Sequence, residues 1–129
     1  MEKEWEQAIR SGDAEVARKL IAQGAAIDSK DRHGQTGLMV ASMRGHTAVV
    51  RLLVENRAEL NQKAKYNLSA LMLAVINGHA EIVCILTEAG ADQQIRRTGA
   101  PGFFGFTALE LAERAGREEI VAILKNAAL

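Results

Sequence analysis

The feature that most constrains this chain is a pattern that returns every 33 residues. Ala41-Ser42-Met43-Arg44-Gly45-His46 comes back as Ala74-Val75-Ile76-Asn77-Gly78-His79, so Gly45 and Gly78 stand 33 positions apart. Thr36-Gly37-Leu38-Met39 returns at the same interval as Ser69-Ala70-Leu71-Met72. Counting back 33 from Gly45 reaches Gly12, within Ala8-Ile9-Arg10-Ser11-Gly12-Asp13. Counting forward 38 from Gly78 reaches Gly116, within Ala112-Glu113-Arg114-Ala115-Gly116-Arg117. The five extra residues of that last interval fall between Arg96 and Thr107, where Thr98-Gly99-Ala100-Pro101-Gly102 reads as a loop insertion. A period of this length means stacked supersecondary units, because one such unit cannot bury both of its faces alone.

Each unit has the same internal logic. A Thr or Ser (Thr36, Ser69, Thr107) stands where a first helix should begin, and its hydroxyl can accept from a free amide there. About eight helical residues follow, until Gly12, Gly45, Gly78 or Gly116 ends the helix in a left-handed turn. A second helix then carries an apolar stripe: Val49-Val50-Leu52-Leu53, Ile82-Val83-Ile85-Leu86 and Ile120-Val121-Ile123-Leu124. Those spacings put the large residues on one face. A second turn comes at Gly24-Ala25 and Gly90-Ala91, whereas the equivalent place in the second unit holds Arg57. A non-glycine residue held at positive φ there costs roughly 1 kcal/mol. Trp5 aligns with Leu38, Leu71 and Leu109 and is expected in the core.

These residues resemble the ankyrin repeat family. Its motif of Gly-x-Thr-Pro-Leu-His, Gly-His and Gly-Ala-Asp reads here as Gly34-Gln35-Thr36-Gly37-Leu38-Met39, then Gly45-His46, then Gly90-Ala91-Asp92. The resemblance spans essentially all 129 residues. It implies an all-α solenoid of four stacked helix-turn-helix repeats with short hairpin loops, in one domain, with repeats at about 1–30, 31–63, 64–96 and 97–129. The first reads as an N-terminal cap without a leading hairpin and the last as a C-terminal cap. The family's proline is Gly37, Ala70 and Ala108 here, and its histidine is Met39, Met72 and Glu110. Those changes remove side-chain hydrogen bonds that brace neighbouring repeats in the family, so looser coupling between repeats is expected.

Bulk properties narrow the function classes. Sixteen basic residues balance sixteen acidic ones, which argues against general affinity for nucleic acid or membrane. One cysteine allows no internal disulfide and fits a reducing, intracellular compartment, cytoplasmic with the nucleus also open. The charged Met1-Glu2-Lys3-Glu4 start has no apolar run, so no secretory signal is expected, and no stretch is long enough to span a membrane.

No catalytic constellation, cofactor site or metal site is expected. His46 and His79 occupy equivalent places in stacked layers about 10 Å apart, too far to share an ion at ~2 Å bonds, and read as helix-start residues. Cys84 aligns with Arg18, Arg51 and Ala122, outward positions of the second helix, and reads as an inert thiol. Gly99, Gly102 and Gly105 do not form a phosphate-loop pattern.

The resemblance implies that a partner docks on a concave face built from hairpin tips and first helices. By phase, that face holds Arg32, His33, Gln35, Met43, Arg44 and Lys63 in the second repeat. In the third it holds Lys65, Tyr66, Leu68, Ile76, Asn77 and Arg96, and in the fourth Phe103, Phe104, Phe106, Arg114 and Ala115, with Arg10 and Lys30 from the first. The set is basic and aromatic and contains no acid; Glu15, Glu55, Glu81, Glu88 and Glu119 are expected on the second helices and outer turns. Interfaces favour aromatics and arginine, so a protein partner offering an acidic segment with apolar anchors is expected. Competing readings are polyanion or nucleic-acid binding by the same face, a non-catalytic regulatory fragment of a larger protein, and a designed repeat protein. Arg57, Cys84 and the insertion are irregularities that speak against the last.

Overall fold

A computed structural model describes residues 1–99 and 105–128. Among these, eight α-helices run in antiparallel pairs: α1 (Lys3–Ser11) with α2 (Ala14–Ala22), α3 (Gly37–Arg44) with α4 (Thr47–Glu55), α5 (Ala70–Ile76) with α6 (Ala80–Glu88), and α7 (Ala108–Arg114) with α8 (Glu118–Ala127). First helices stack on first helices and second on second, which makes a solenoid. The local signals act as read. Thr36, Ser69 and Thr107 accept from the amides of Met39, Met72 and Glu110 at the starts of α3, α5 and α7. Gly12, Gly45, Gly78 and Gly116 all lie at φ between 69° and 77°. Arg57 sits at φ 62°, where Gly24 and Gly90 take 90° and 94°, so the second turn is left-handed in every one of the three.

The core runs along the stack. Val49, Val50, Leu52, Leu53, Ile82, Val83, Ile85 and Leu86 are buried, as is Trp5. Trp5 is larger than the leucines of its column, and the space comes from the next unit: a β-carbon at Gly37 would stand 3.4 Å from Ile9 and 3.5 Å from the Trp5 Nε1. Ala41, Ala74 and Ala112 are almost fully buried where helices approach closely. Ser42 is buried in the column of Ile9 and Val75, and its hydroxyl has no hydrogen-bond partner among the described residues. In the first and last units the same columns turn polar. Gln7 replaces Val40 and Leu73, while Glu113 replaces Ser42 and Val75. Val16 keeps its apolar side chain and is 38% exposed, against 0% for its counterpart Val49.

Three hairpin tips lead into α3, α5 and α7. Each is closed by the same backbone bond, from Asp31 N to Gln35 O (2.9 Å), Ala64 N to Leu68 O (2.8 Å) and Arg97 N to Phe106 O (2.8 Å). The first two pairs are four positions apart and the third nine. The last bonded pair thus brackets five more positions of chain than the first two. No helix among the described residues is long and apolar enough to cross a membrane.

Candidate functional site

Two ladders of side-chain bonds tie successive units. His46 Nε2 lies 2.9 Å from the Arg10 carbonyl oxygen, and His79 Nε2 lies 3.0 Å from that of Met43. Arg117 does the same in the last unit, donating from Nη2 to Ile76 O at 2.9 Å. Those three carbonyls close first helices, where the last C=O groups have no partner inside the helix. On the outer side, Asp28 Oδ1 accepts from Glu59 N at 2.9 Å and Asn61 Oδ1 from Asp92 N at 2.8 Å. The histidines at the Gly-His step do start α4 and α6, and they also brace the stack. The in-phase recurrence of Gly-His and Gly-Arg was the sequence signal for it.

The tips form a groove. A hollow of about 350 Å³ opens between the second and third units and is lined by Arg32, His33, Gln35, Lys65, Tyr66 and Leu68, together with Ala64 and Leu73. Six residues expected at a partner-binding face thus come together; Ala64 and Leu73 were not anticipated. Tyr66 is 41% exposed, and the Lys65 ammonium lies 5.0 Å from its ring centroid, a cation–π distance. Tyr66 and Asn67 both stand at φ 62° in a one-turn 3-10 helix (Lys65–Asn67), and for a tyrosine that is a strained conformation. The next tip holds it there. Tyr66 O accepts from Thr98 N at 2.8 Å, Asn67 Nδ2 donates to Arg96 O at 3.0 Å, and the Tyr66 ring lies over Gly99.

The remaining expected residues are placed apart from this groove. Arg44 is exposed at the end of α3, where its Nη1 donates to Arg10 O at 3.5 Å, and Met43 beside it is half-buried. Ile76 is 36% exposed, and Asn77 next to it closes α5 by donating from Nδ2 to Leu73 O at 2.8 Å. Lys30, Lys63 and Ala115 are exposed. Phe106 is half-buried against the core with the Arg114 guanidinium 4.7 Å from its ring centroid. Phe103 and Phe104 lie outside the described residues.

The face is not free of acids, contrary to the sequence expectation. Arg10 is held by Glu6 at 3.1 Å and by Asp31 at 3.3 Å, and Arg96 by Glu110 at 3.3 Å. Phase does not point to these acids, because Glu6 and Glu110 occupy the column of the buried Met39 and Met72, and Asp31 lies at a turn position that is Ala64 one unit on. The Asp31 side chain is 1% exposed, and its Oδ1 accepts from the amides of His33 (2.8 Å) and Gln35 (3.0 Å), so it shapes the tip from beneath. Glu110 completes a capping box with Thr107, and the Thr107 amide and hydroxyl hold its carboxyl below the usual carboxylate value. The outer acids Glu15, Glu55, Glu81, Glu88 and Glu119 are exposed, with Glu81 paired to Arg51 at 2.8 Å.

A larger hollow, about 520 Å³, lies on the free face of α1 and α2, among Lys3, Glu4, Glu6, Gln7, Arg10, Asp13 and Val16. It mixes both charges. Cys84 is half-buried; that burial and its contact with Glu88 (3.5 Å) push its thiol pKa up, away from the reactive thiolate.

The model of the family described as "Ankyrin repeats (3 copies)" matches residues 5–97, well over half of the chain; α7 and α8 lie beyond the match. No curated protein matches the chain significantly. Ankyrin repeats are generally protein–protein interaction modules and are typically not catalytic. On the matched repeats and the in-phase helix pairs that fill them, the chain belongs to the ankyrin repeat family.

Proposed function

We propose that this chain is a non-catalytic adaptor that docks a partner protein on its tips and first helices, centred on the groove between the second and third units. The observation that carries this reading is the composition of the groove. Arg32, His33, Gln35, Lys65, Tyr66 and Leu68 line it together, and among the described residues no carboxylate does. A half-exposed aromatic flanked by cations and by apolar side chains is the chemistry of an interface anchor. It fits a partner segment that carries acidic groups and an apolar side chain to seat against Leu68 and Leu73. Arg44 and Ile76, exposed apart from the groove at the ends of α3 and α5, are assigned to the same docking face. The single, unreactive cysteine suits a reducing intracellular compartment.

The test is affinity capture from native lysate with wild type and with the triple reversal Arg32→Glu, Arg44→Glu, Lys65→Glu. All three side chains are exposed, so the melting temperature should stay unchanged while specific capture is lost. Binding that also weakens steeply with salt supports the electrostatic part. Capture that survives the triple reversal overturns the reading.

A further inference from the structure

The groove is cationic out of proportion to a chain whose charges balance. Asp31, the acid closest to it in sequence, is turned inward and consumed by two amides and Arg10. Among the described residues, neither Arg32 nor Lys65 has an ion-pair partner. Each has a contact with an uncharged group instead. Arg32 Nε donates to His33 Nε2 at 3.3 Å, and the Lys65 ammonium faces the Tyr66 ring. These contacts position two cations without neutralising them. The tips that carry them are themselves set, one by Asp31 from beneath and the other by its bonds to Thr98 and Arg96.

We infer that the acidic group received here is a phosphorylated side chain of the partner protein. The inference rests on the docking reading above and deepens it. A carboxylate carries one charge and would leave one of the two cations uncompensated. A phosphate monoester carries close to two and offers three acceptor oxygens. The Arg32 guanidinium presents a planar fork to such a group, Lys65 adds a point charge from the opposite tip, and His33 adds a ring donor. The Tyr66 ring, Leu68 and Leu73 form an apolar wall for the carbon portion of the phosphorylated residue.

The experiment is an amide NMR titration of the whole chain with phenyl phosphate, with benzoate as the control that has the same ring and one charge. Saturable shifts are expected, confined to the amides of residues 32–35 and 64–68, with benzoate at least roughly ten-fold weaker. Arg32→Ala with Lys65→Ala should abolish them without moving the melting temperature. Equal affinity for benzoate, shifts spread over lysines and arginines elsewhere, or no saturation at millimolar concentration each overturn the inference. Phosphatase treatment of the lysate before capture separates the two readings. Loss of capture supports phosphate recognition. Capture that survives phosphatase but fails with the triple reversal leaves the docking face standing and sinks the phosphate. Capture lost on nuclease treatment sinks both, because the ligand is then a nucleic acid.

Discussion

A β-carbon on Gly99 would stand 2.1 Å from Cδ1 of Tyr66, so the tyrosine ring of the third unit packs directly on the backbone of the fourth. Gly99 is also at φ 93°, a conformation that side chains oppose. Gly99→Ala should therefore displace the ring from the groove wall, at a stability cost of about 1 kcal/mol. The chain has a single tyrosine, so its ring resonances report the movement directly. Unchanged ring shifts, with phenyl phosphate binding intact, would mean that the fourth tip does not set the groove.

The histidines are not equivalent. His46 and His79 each bond a carbonyl of the preceding unit and lie over Gly12 and Gly45, where an added β-carbon would stand 2.6–2.7 Å from the ring. His79→Ala should lose about 1–2 kcal/mol, because it leaves the Met43 carbonyl at a helix end unpartnered. His33 is exposed on its tip, and His33→Ala should change stability by less than about 0.5 kcal/mol. Urea denaturation of both variants decides it; equal effects would contradict the ladder.

Arg57 is exposed at φ 62°, in the column where Gly24 and Gly90 meet no atom within 4 Å. Arg57→Gly should raise stability by about 1 kcal/mol, since the relief of the left-handed conformation outweighs the extra freedom of glycine in the unfolded chain. A thermal melt showing no gain would count against this.

Glu110 gives the fold an acid-side sensitivity. Its folded pKa lies below the ordinary value of 4.5, chiefly through the Thr107 amide. The contribution is therefore complete above that ordinary value and disappears as pH falls through the lowered one. Glu110→Gln keeps an acceptor for the capping box but does not titrate there. Melts taken from neutral pH to below 4.5 should fall more steeply for wild type than for the variant, with the difference confined to the acid end. Parallel curves would show that the cap is not linked to the carboxylate.

Much of this architecture is legible in the chain because it rests on local requirements repeated in phase. A hydroxyl three residues before an amide, a left-handed turn and an apolar stripe each need only a short stretch of backbone, as Thr36, Gly45 and Val49-Val50-Leu52-Leu53 show. The interval of 38 likewise located the insertion between Arg96 and Thr107, and the Arg97–Phe106 bond brackets that stretch. The basic tip residues could be collected by phase for the same reason.

What phase alone leaves open is which side chain reaches which neighbour across units. That depends on the distance and angle between stacked helices, which spacing along the chain does not specify. Only the tertiary structure decided that Arg10 is held by the buried Asp31 while Arg32 keeps its charge open. It also decided that His46 and His79 reach back to the preceding unit, and that Tyr66 is strained over Gly99. The period and the turns are thus properties of the sequence, set by backbone chemistry within each unit. The groove is a property of the stack, because its walls come from residues that meet only when one unit packs on the next.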